Sequence, residues 1–504
     1  MHDDEGPDRH QTMITQVRPP GGTAQDVLVC SGRVQQIAPA GQLPAPPGAH
    51  IVPGQGRVIV PGLWDEHTHM VQWALGRQRL DLSGATSAAG VLGLVAQRAG
   101  DGGDGPIVGY GFRDGLWADQ PSLSSLDAVS AGRPVVLVSG DLHCGWLNTA
   151  GAQLLHARPG ADGLVREGDW FRAAAHLDDL TITQGEDALR AALPALPARG
   201  VVGVVDLEMA DTVGDWSDRI GAGYRDLRIE AGIYPDRLDA AIAAGLRTGA
   251  VVPGSQGLLQ VGPLKILSDG SLNTRTAYCR HQYTSAPAAA TGAGVGAGGY
   301  GHLEFSPEQI LDLVTRAREA GIAATIHAIG DLAVATALDV FAQVGVGGRI
   351  EHAQLISTGD LDRFAALDVV ASVQPEHAMD DRDLAEEFWA DRTARAFPLA
   401  ALHRAGARLR LGSDAPVAPL DPWVSMAAAV GRSRDGRPAW HPEQRLDPRV
   451  ALAASTRGRA QVRTGDVADL VLIEDDPLTA GTQALRTMKV SATMLAGRWT
   501  YGPH

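Results

Sequence analysis

Apolar positions along the chain fall into two kinds of pattern. From Asp26 to residue 60, short apolar runs (Val27-Leu28-Val29, 34–37 and Val58-Ile59-Val60) alternate with Pro- and Gly-rich turns at 44–48 and 53–56. Runs this short, bounded by such turns, predict a small β unit. The far end repeats the pattern: Asp469-Leu470-Val471-Leu472-Ile473 and 490–495 read as strands, and Ala496-Gly497-Arg498-Trp499 as a turn into a last short strand. Two terminal β segments around a long middle predict one composite β domain built from both ends. In the middle, apolar runs at 135–138, 203–205, 264–267, 323–326, 369–373 and 409–411 are each followed by a helix-like stretch, clearest at 306–320 and 332–344. Repeated strand–helix units predict an α/β parallel sheet, either a barrel or a doubly wound sheet. Residues 1 to about 20 read as a poorly ordered tail, and the Gly-rich stretch 292–301 as a mobile loop.

The length of 504 residues suits a barrel of roughly 250 to 400 residues with a smaller unit attached. No run of about 20 apolar residues occurs, and residues 1–11 lack the basic start and apolar stretch of a secretory signal, so a cytoplasmic location is expected. A net charge of −15 without a basic block argues against nucleic acid or an anionic membrane as partner and leaves a small-molecule substrate. Oligomeric state is not legible, with a homodimer left open. Three cysteines, Cys30, Cys144 and Cys279, are too few and too scattered for a disulfide framework or a thiolate metal site. No Gly-x-Gly-x-x-Gly turn with an acidic partner supports dinucleotide binding.

Of 43 Lys and Arg residues only Lys265 and Lys489 are lysine. Where arginine serves almost everywhere, a surviving lysine inside the apolar run Leu264-Lys265-Ile266-Leu267 raises the question of whether a primary amine is needed, because guanidinium cannot form a carbamate with CO₂. Metal-ligand residue types recur at successive strand ends. His67 and His69 share one face of a strand, two residues apart. His327 ends Ala323-Ala324-Thr325-Ile326, His352 ends Arg349-Ile350-Glu351, and Asp414 follows Leu409-Arg410-Leu411. Each alone reads as an ordinary core or surface residue. Their order matters, because the C-terminal ends of parallel barrel strands converge on one face. Four imidazoles, a lysine and a carboxylate there suit a divalent first-row ion, zinc foremost.

These motifs resemble the amidohydrolase superfamily, in its YtcJ-like and N-substituted formamide deformylase-like branch. The matching pieces are Pro61-Gly62-Leu63-Trp64-Asp65-Glu66-His67-Thr68-His69, Lys265 with Asp269-Gly270-Ser271, His327-Ala328-Ile329-Gly330-Asp331, Arg349-Ile350-Glu351-His352-Ala353, Gln374-Pro375-Glu376-His377 and Gly412-Ser413-Asp414-Ala415-Pro416. Asn273 stands where that pattern has glycine. The resemblance implies a distorted (β/α)8 TIM barrel, over about 61–450, with a composite β-sandwich from 1–60 and 451–504. It implies that His67, His69, Lys265, His327, His352 and Asp414 hold one or two divalent ions, with Lys265 as a candidate N6-carboxylysine. It implies that Asp414 is the acid/base residue and that His143 and His377 face the substrate, His143 also polarising the scissile carbonyl. Trp117 and Trp146 are further candidates for lining the substrate pocket. The expected reaction is hydrolysis of an amide, formamide or cyclic amide C–N bond. Phosphotriester or ester hydrolysis at the same metal site, and a non-catalytic binding role, are the alternatives.

Overall fold

In the computed structural model, residues 11–284 and 299–503 are described. Eight parallel strands follow one another in chain order: β1 (Leu63–Thr68), β2 (Val201–Asp206), β3 (Arg228–Ile233), β4 (Leu259–Leu267), β5 (Ala324–Ala328), β6 (Arg349–His352), β7 (Val370–Val373) and β8 (Arg408–Leu411). The Asp414 amide donates to the His67 carbonyl and the His69 amide to the Ala415 carbonyl, both at 2.8 Å, so the segment after β8 returns to the end of β1. The sheet is therefore a (β/α)8 barrel and not an open, doubly wound layer. Strands covered on both faces read as unbroken apolar runs rather than alternating ones, as Val201–Asp206 does, with every residue buried.

Local chemistry fixes the helices that back these strands. Pro307–Glu319 starts in a capping box: the Ser306 hydroxyl accepts from the Gln309 amide, and the Gln309 side chain accepts from the Ser306 amide. Its buried Ile310, Val314 and Ala317 recur at helical spacing and join the core around β4 and β5. Asp331–Val344 ends at Gly345, whose φ of 69° is the left-handed cap that glycine adopts without a Cβ clash.

Both chain ends build the sandwich. One sheet has the order Arg33–Pro39, Gln25–Cys30, Gln11–Val17, His50–Pro53; the other has Arg498–Tyr501, Val490–Leu495, Leu470–Ile473, Val58–Pro61. Ile14, Val27 and Val29 from the first sheet pack with Ile59, Leu470, Leu472 and Met494 from the second in one core. Part of the expected tail is instead ordered: Gln11–Val17 is a strand with Met13, Ile14 and Val17 buried, and residues 1–10 lie outside the described residues. The Gly-rich stretch from 292 falls almost entirely outside the described residues.

One expectation fails. The run 135–138 is not a barrel strand. Val135–Ser139 lies in a separate five-stranded sheet, order Leu164–Arg166, Cys144–Leu147, Val135–Ser139, Ile107–Phe112, Leu80–Asp81, inserted between β1 and β2. A buried parallel strand pairing with Ile107–Phe112 carries the same apolar signature as a barrel strand, so only long-range pairing tells them apart. The insertion continues into the 26-residue helix Glu167–Ala192. No described helix is long and apolar enough to cross a membrane.

Candidate active site

Alternation along β1 sends Asp65 and His67 to one side and Glu66 to the other. Glu66 is buried among Arg349, Arg410 and Arg457, its carboxylate 3.1 Å from Arg349 and 2.9 Å from Arg457. His67 meets Asp414 instead, with its Nε2 3.2 Å from Oδ1, and the His69 Nε2 lies 3.3 Å from the same oxygen. The Nε2 of His377 is 3.8 Å from the other oxygen of Asp414. Lys265, on β4, brings its Nζ to 3.4 Å from the His67 Nε2. The His327 and His352 rings, ending β5 and β6, are 4.4 Å apart between centroids, and His352 is 5.2 Å from His67. His352 and Asp414 adopt φ of 69° and 58°, a left-handed conformation uncommon for residues with a side chain and often found where a site over-determines the backbone.

Carboxylates hold these rings from behind. Glu351 Oε2 is 3.0 Å from the His67 Nδ1, while its Oε1 accepts from the Thr325 hydroxyl at 2.6 Å. Asp65 accepts the Ser413 amide at 2.9 Å, tying the loop that carries Asp414 to β1. Asp269 accepts the amides of Tyr278, Ile329 and Gly330 at 2.9–3.0 Å, and burial pushes its carboxyl up to about 7. His143, from the inserted sheet, places Nδ1 2.7 Å from Glu167, whose other oxygen accepts from Thr274 and Thr276.

At His67, His327 and His352 the electrostatics suit metal ligation, whereas at His69 burial is outweighed by Asp414, which raises the ring's pKa. Burial holds His67, His327 and His352 below the usual imidazole range, and the nearby Lys265 acts in the same direction, so the rings are neutral and keep a lone pair. Burial disfavours a charged Asp414, but His67, His69 and His352 outweigh it and keep the carboxyl well below its ordinary value. At His143 burial is likewise outweighed, by Glu167 and Asp141, and the ring is pushed up to about 9.

Two groups of three could each hold a cation among the described residues: His67, His69 and Asp414, and His352, His377 and Asp414, with ligand atoms within 4.8 Å of one another in each. The buried Nδ1 atoms of His69 and His352 and the Nε2 of His377 have no hydrogen-bond partner. Imidazole nitrogens around one shared carboxylate, with unpartnered buried nitrogens among them, fit a divalent borderline cation. The fold thus gathers His67, His69, Lys265, His327, His352, Asp414 and His143 at one cleft, with His377 beside them across Asp414. His377, expected at the substrate, stands in the second triple. His327 stands outside both, its Nε2 3.3 Å from the Gly270 carbonyl.

Trp117 and Trp146 are corrections. They pack on each other and on Phe112 inside the inserted sheet's core, and neither lines the cleft. Trp170, Phe171, Met209 and Tyr234 line it instead. Trp170 and Phe171 lie in the first turns of Glu167–Ala192, whose approach to the barrel mouth follows from tertiary packing and leaves no periodic signal.

The chain belongs to the amidohydrolase family: residues 54–501 match the family model Amidohydro_3. A hydrolase site built from imidazoles and carboxylate at the barrel mouth agrees with that membership. Among relatives, the chain is 27% identical to Protein LONG AFTER FAR-RED 3 of Arabidopsis thaliana, covering 89% of this chain and 83% of the relative. It is 25% identical to the putative amidohydrolase YtcJ of Bacillus subtilis (88% and 89% covered) and 24% identical to N-substituted formamide deformylase of Arthrobacter pascens (95% of each). These relatives support the YtcJ-like and deformylase-like branch. A solved structure of an uncharacterized metal-dependent hydrolase from Pyrococcus horikoshii shares the fold, with a TM-score of 0.76, 23% identity and coverage of 94% of this chain and 99% of that one.

Proposed function

We propose that this chain hydrolyses a non-peptide amide-type C–N bond, using one or two divalent ions, zinc by donor chemistry, held by His67, His69, His327, His352 and Asp414. The observation that carries this reading is the position of Asp414. One oxygen faces His67 and His69 and the other faces His377, so a single carboxylate borders both candidate cation sites. A cation there supplies a Lewis acid that makes water nucleophilic near neutral pH. Asp414 takes the proton from the attacking water and delivers it to the nitrogen that leaves, a step amine departure requires. His143, kept cationic by Glu167, donates to the carbonyl oxygen as negative charge develops on it. The relation to N-substituted formamide deformylase over nearly the whole chain favours carbon–nitrogen chemistry over phosphotriester or ester cleavage.

Lys265 belongs to the proposal as a candidate N6-carboxylysine, which would turn a buried cation into an anionic oxygen ligand for a bound ion. Its amine is buried beside His67, and burial pushes its pKa down to about 8, which leaves a fraction of free amine at neutral pH to add CO₂. An unmodified Lys265 in a protein holding two ions contradicts this part.

The test is Asp414→Asn in the metal-loaded enzyme, assayed on formamides, N-acyl amines, lactams and a phosphotriester. Metal content should persist while amide turnover falls by about 10²- to 10⁴-fold. Normal turnover by the variant, or wild-type activity confined to the phosphotriester, contradicts the proposal.

A further inference from the structure

Most charged side chains near the cleft are accounted for. Glu351 and Arg349 face each other behind His67, Glu167 holds His143, and Asp141 accepts from Ser139 and Ser271. Arg79 is not accounted for. It follows the helix Met70–Gly76, which begins right after His69, and its amide is fixed by the Leu75 carbonyl at 3.2 Å. Its side chain reaches the cleft shared with His67, Lys265 and Asp414, and it is the one arginine among the described residues lining it. Its Nη2 is buried and has no hydrogen-bond partner. Burial disfavours its charge by more than Asp178 and Glu208 restore. A guanidinium nitrogen buried without a partner costs stability, and a planar fork of donors suits a carboxylate.

The rest of the cleft wall states what accompanies that carboxylate. Val138, Trp170, Phe171, Leu177 and Met209 present apolar and aromatic surface to the same space. His143 and Lys265 carry the other positive charges at the metal-ligand end of the cleft, so this apolar wall with Arg79 beside it suits a molecule with an apolar or aromatic body and an anionic end.

We propose that Arg79 anchors a carboxylate of the substrate, so that the hydrolysed compound is an amide or formamide carrying an apolar body and an anionic group away from the scissile bond. This deepens the reading given above and uses its assumption that the cleft receives the substrate. The anchoring itself does not require that any particular bond be broken.

The experiment uses the metal-loaded enzyme and two probes of one shape, 3-phenylpropanoate and 3-phenylpropanamide, with binding followed by calorimetry. Wild type should prefer the carboxylate by about 10- to 100-fold, the range expected for hydrogen bonds to a charged group. R79Q should bring that ratio close to one, and R79K, which keeps the charge but loses the fork, should fall between. A carboxylate drawn to the metal ligands instead would keep its preference in R79Q, and that result overturns the assignment, as does a wild type with no preference. Should R79Q fail to fold, an R79K ratio equal to wild type overturns it equally. Hydrolysis of N-formylphenylalanine and its methylamide is measured alongside. Cleavage of both at equal efficiency defeats the Arg79 anchor and leaves C–N hydrolysis standing. Discrimination in binding with no amide cleaved keeps the anchor and defeats the C–N reading.

Discussion

Glu351→Gln separates the carboxylate behind His67 from the ring itself. Glu351 is fully buried, 3.0 Å from the His67 Nδ1, and also accepts from Thr325. A carboxylate in this place orients the imidazole and raises its basicity, and its loss costs about 10- to 100-fold in metal affinity, or about 1.4–2.7 kcal/mol. Glutamine keeps the shape and an acceptor oxygen but not the charge. Folding should suffer too. Breaking a buried pair from one side costs about 3–5 kcal/mol in general. Here Arg349 retains Glu66 at 3.1 Å and Glu230 at 3.9 Å, so the lower end applies. The pH dependence has a definite sign. Burial raises the Glu351 carboxyl, but Arg349 and His67 outweigh it and hold the folded value below the ordinary 4.5. Its contribution is therefore complete above about pH 4.5 and fades as the pH falls through the depressed folded value. The stability gap between wild type and variant, from urea unfolding, should narrow on acidification below pH 4.5. Metal affinity at neutral pH, from competition with a chromophoric chelator, should fall at least tenfold. An affinity within twofold of wild type would refute the role given to Glu351, whatever happens to stability.

The remaining predictions address other parts of the site. Wild-type kcat/KM should decline as the pH rises through about 9, where His143 loses its proton, and Glu167→Gln should move that limb toward the ordinary imidazole value of 6.5; an unmoved limb assigns it to another group. Trp146→Ala should cost about 3–5 kcal/mol in unfolding experiments, as the loss of a fully buried indole does, while KM stays at the wild-type value. A raised KM with unchanged stability would return Trp146 to the substrate pocket.

The parts of the site that the sequence displays are those fixed by short-range geometry. A ligand-type residue at the end of an apolar strand run points to a barrel mouth whatever the rest of the chain does, and so His67, His69, Lys265, His327, His352 and Asp414 could be picked out. The composite sandwich was legible because strand and turn signals cluster at both ends. What stayed hidden depends on contacts between distant segments. Val135–Ser139 has the composition of a barrel strand and differs only in its partner, Ile107–Phe112. Trp117 and Trp146 offered large aromatic surface, and only the packing against Phe112 shows that it is spent inside the insertion. Glu167 reads as a helix-start acid until the segment that separates it from His143, 24 positions earlier, is folded back. Arg79 is one of many arginines in the sequence, and its unpartnered nitrogen exists only once the cleft forms. Glu351 precedes His352 in the sequence, but nothing local shows that its partner is His67 on β1, a strand distant from β6 in the chain.

The most direct measurement is anomalous diffraction at the zinc absorption edge from crystals of the purified, zinc-supplemented protein. The account predicts a peak at about 2.0–2.2 Å from ligand atoms of His67, His69 and Asp414, with any second peak beside His352 on the far side of the same carboxylate. No peak at the barrel mouth, or a zinc ion bound only elsewhere on the molecule, would contradict it.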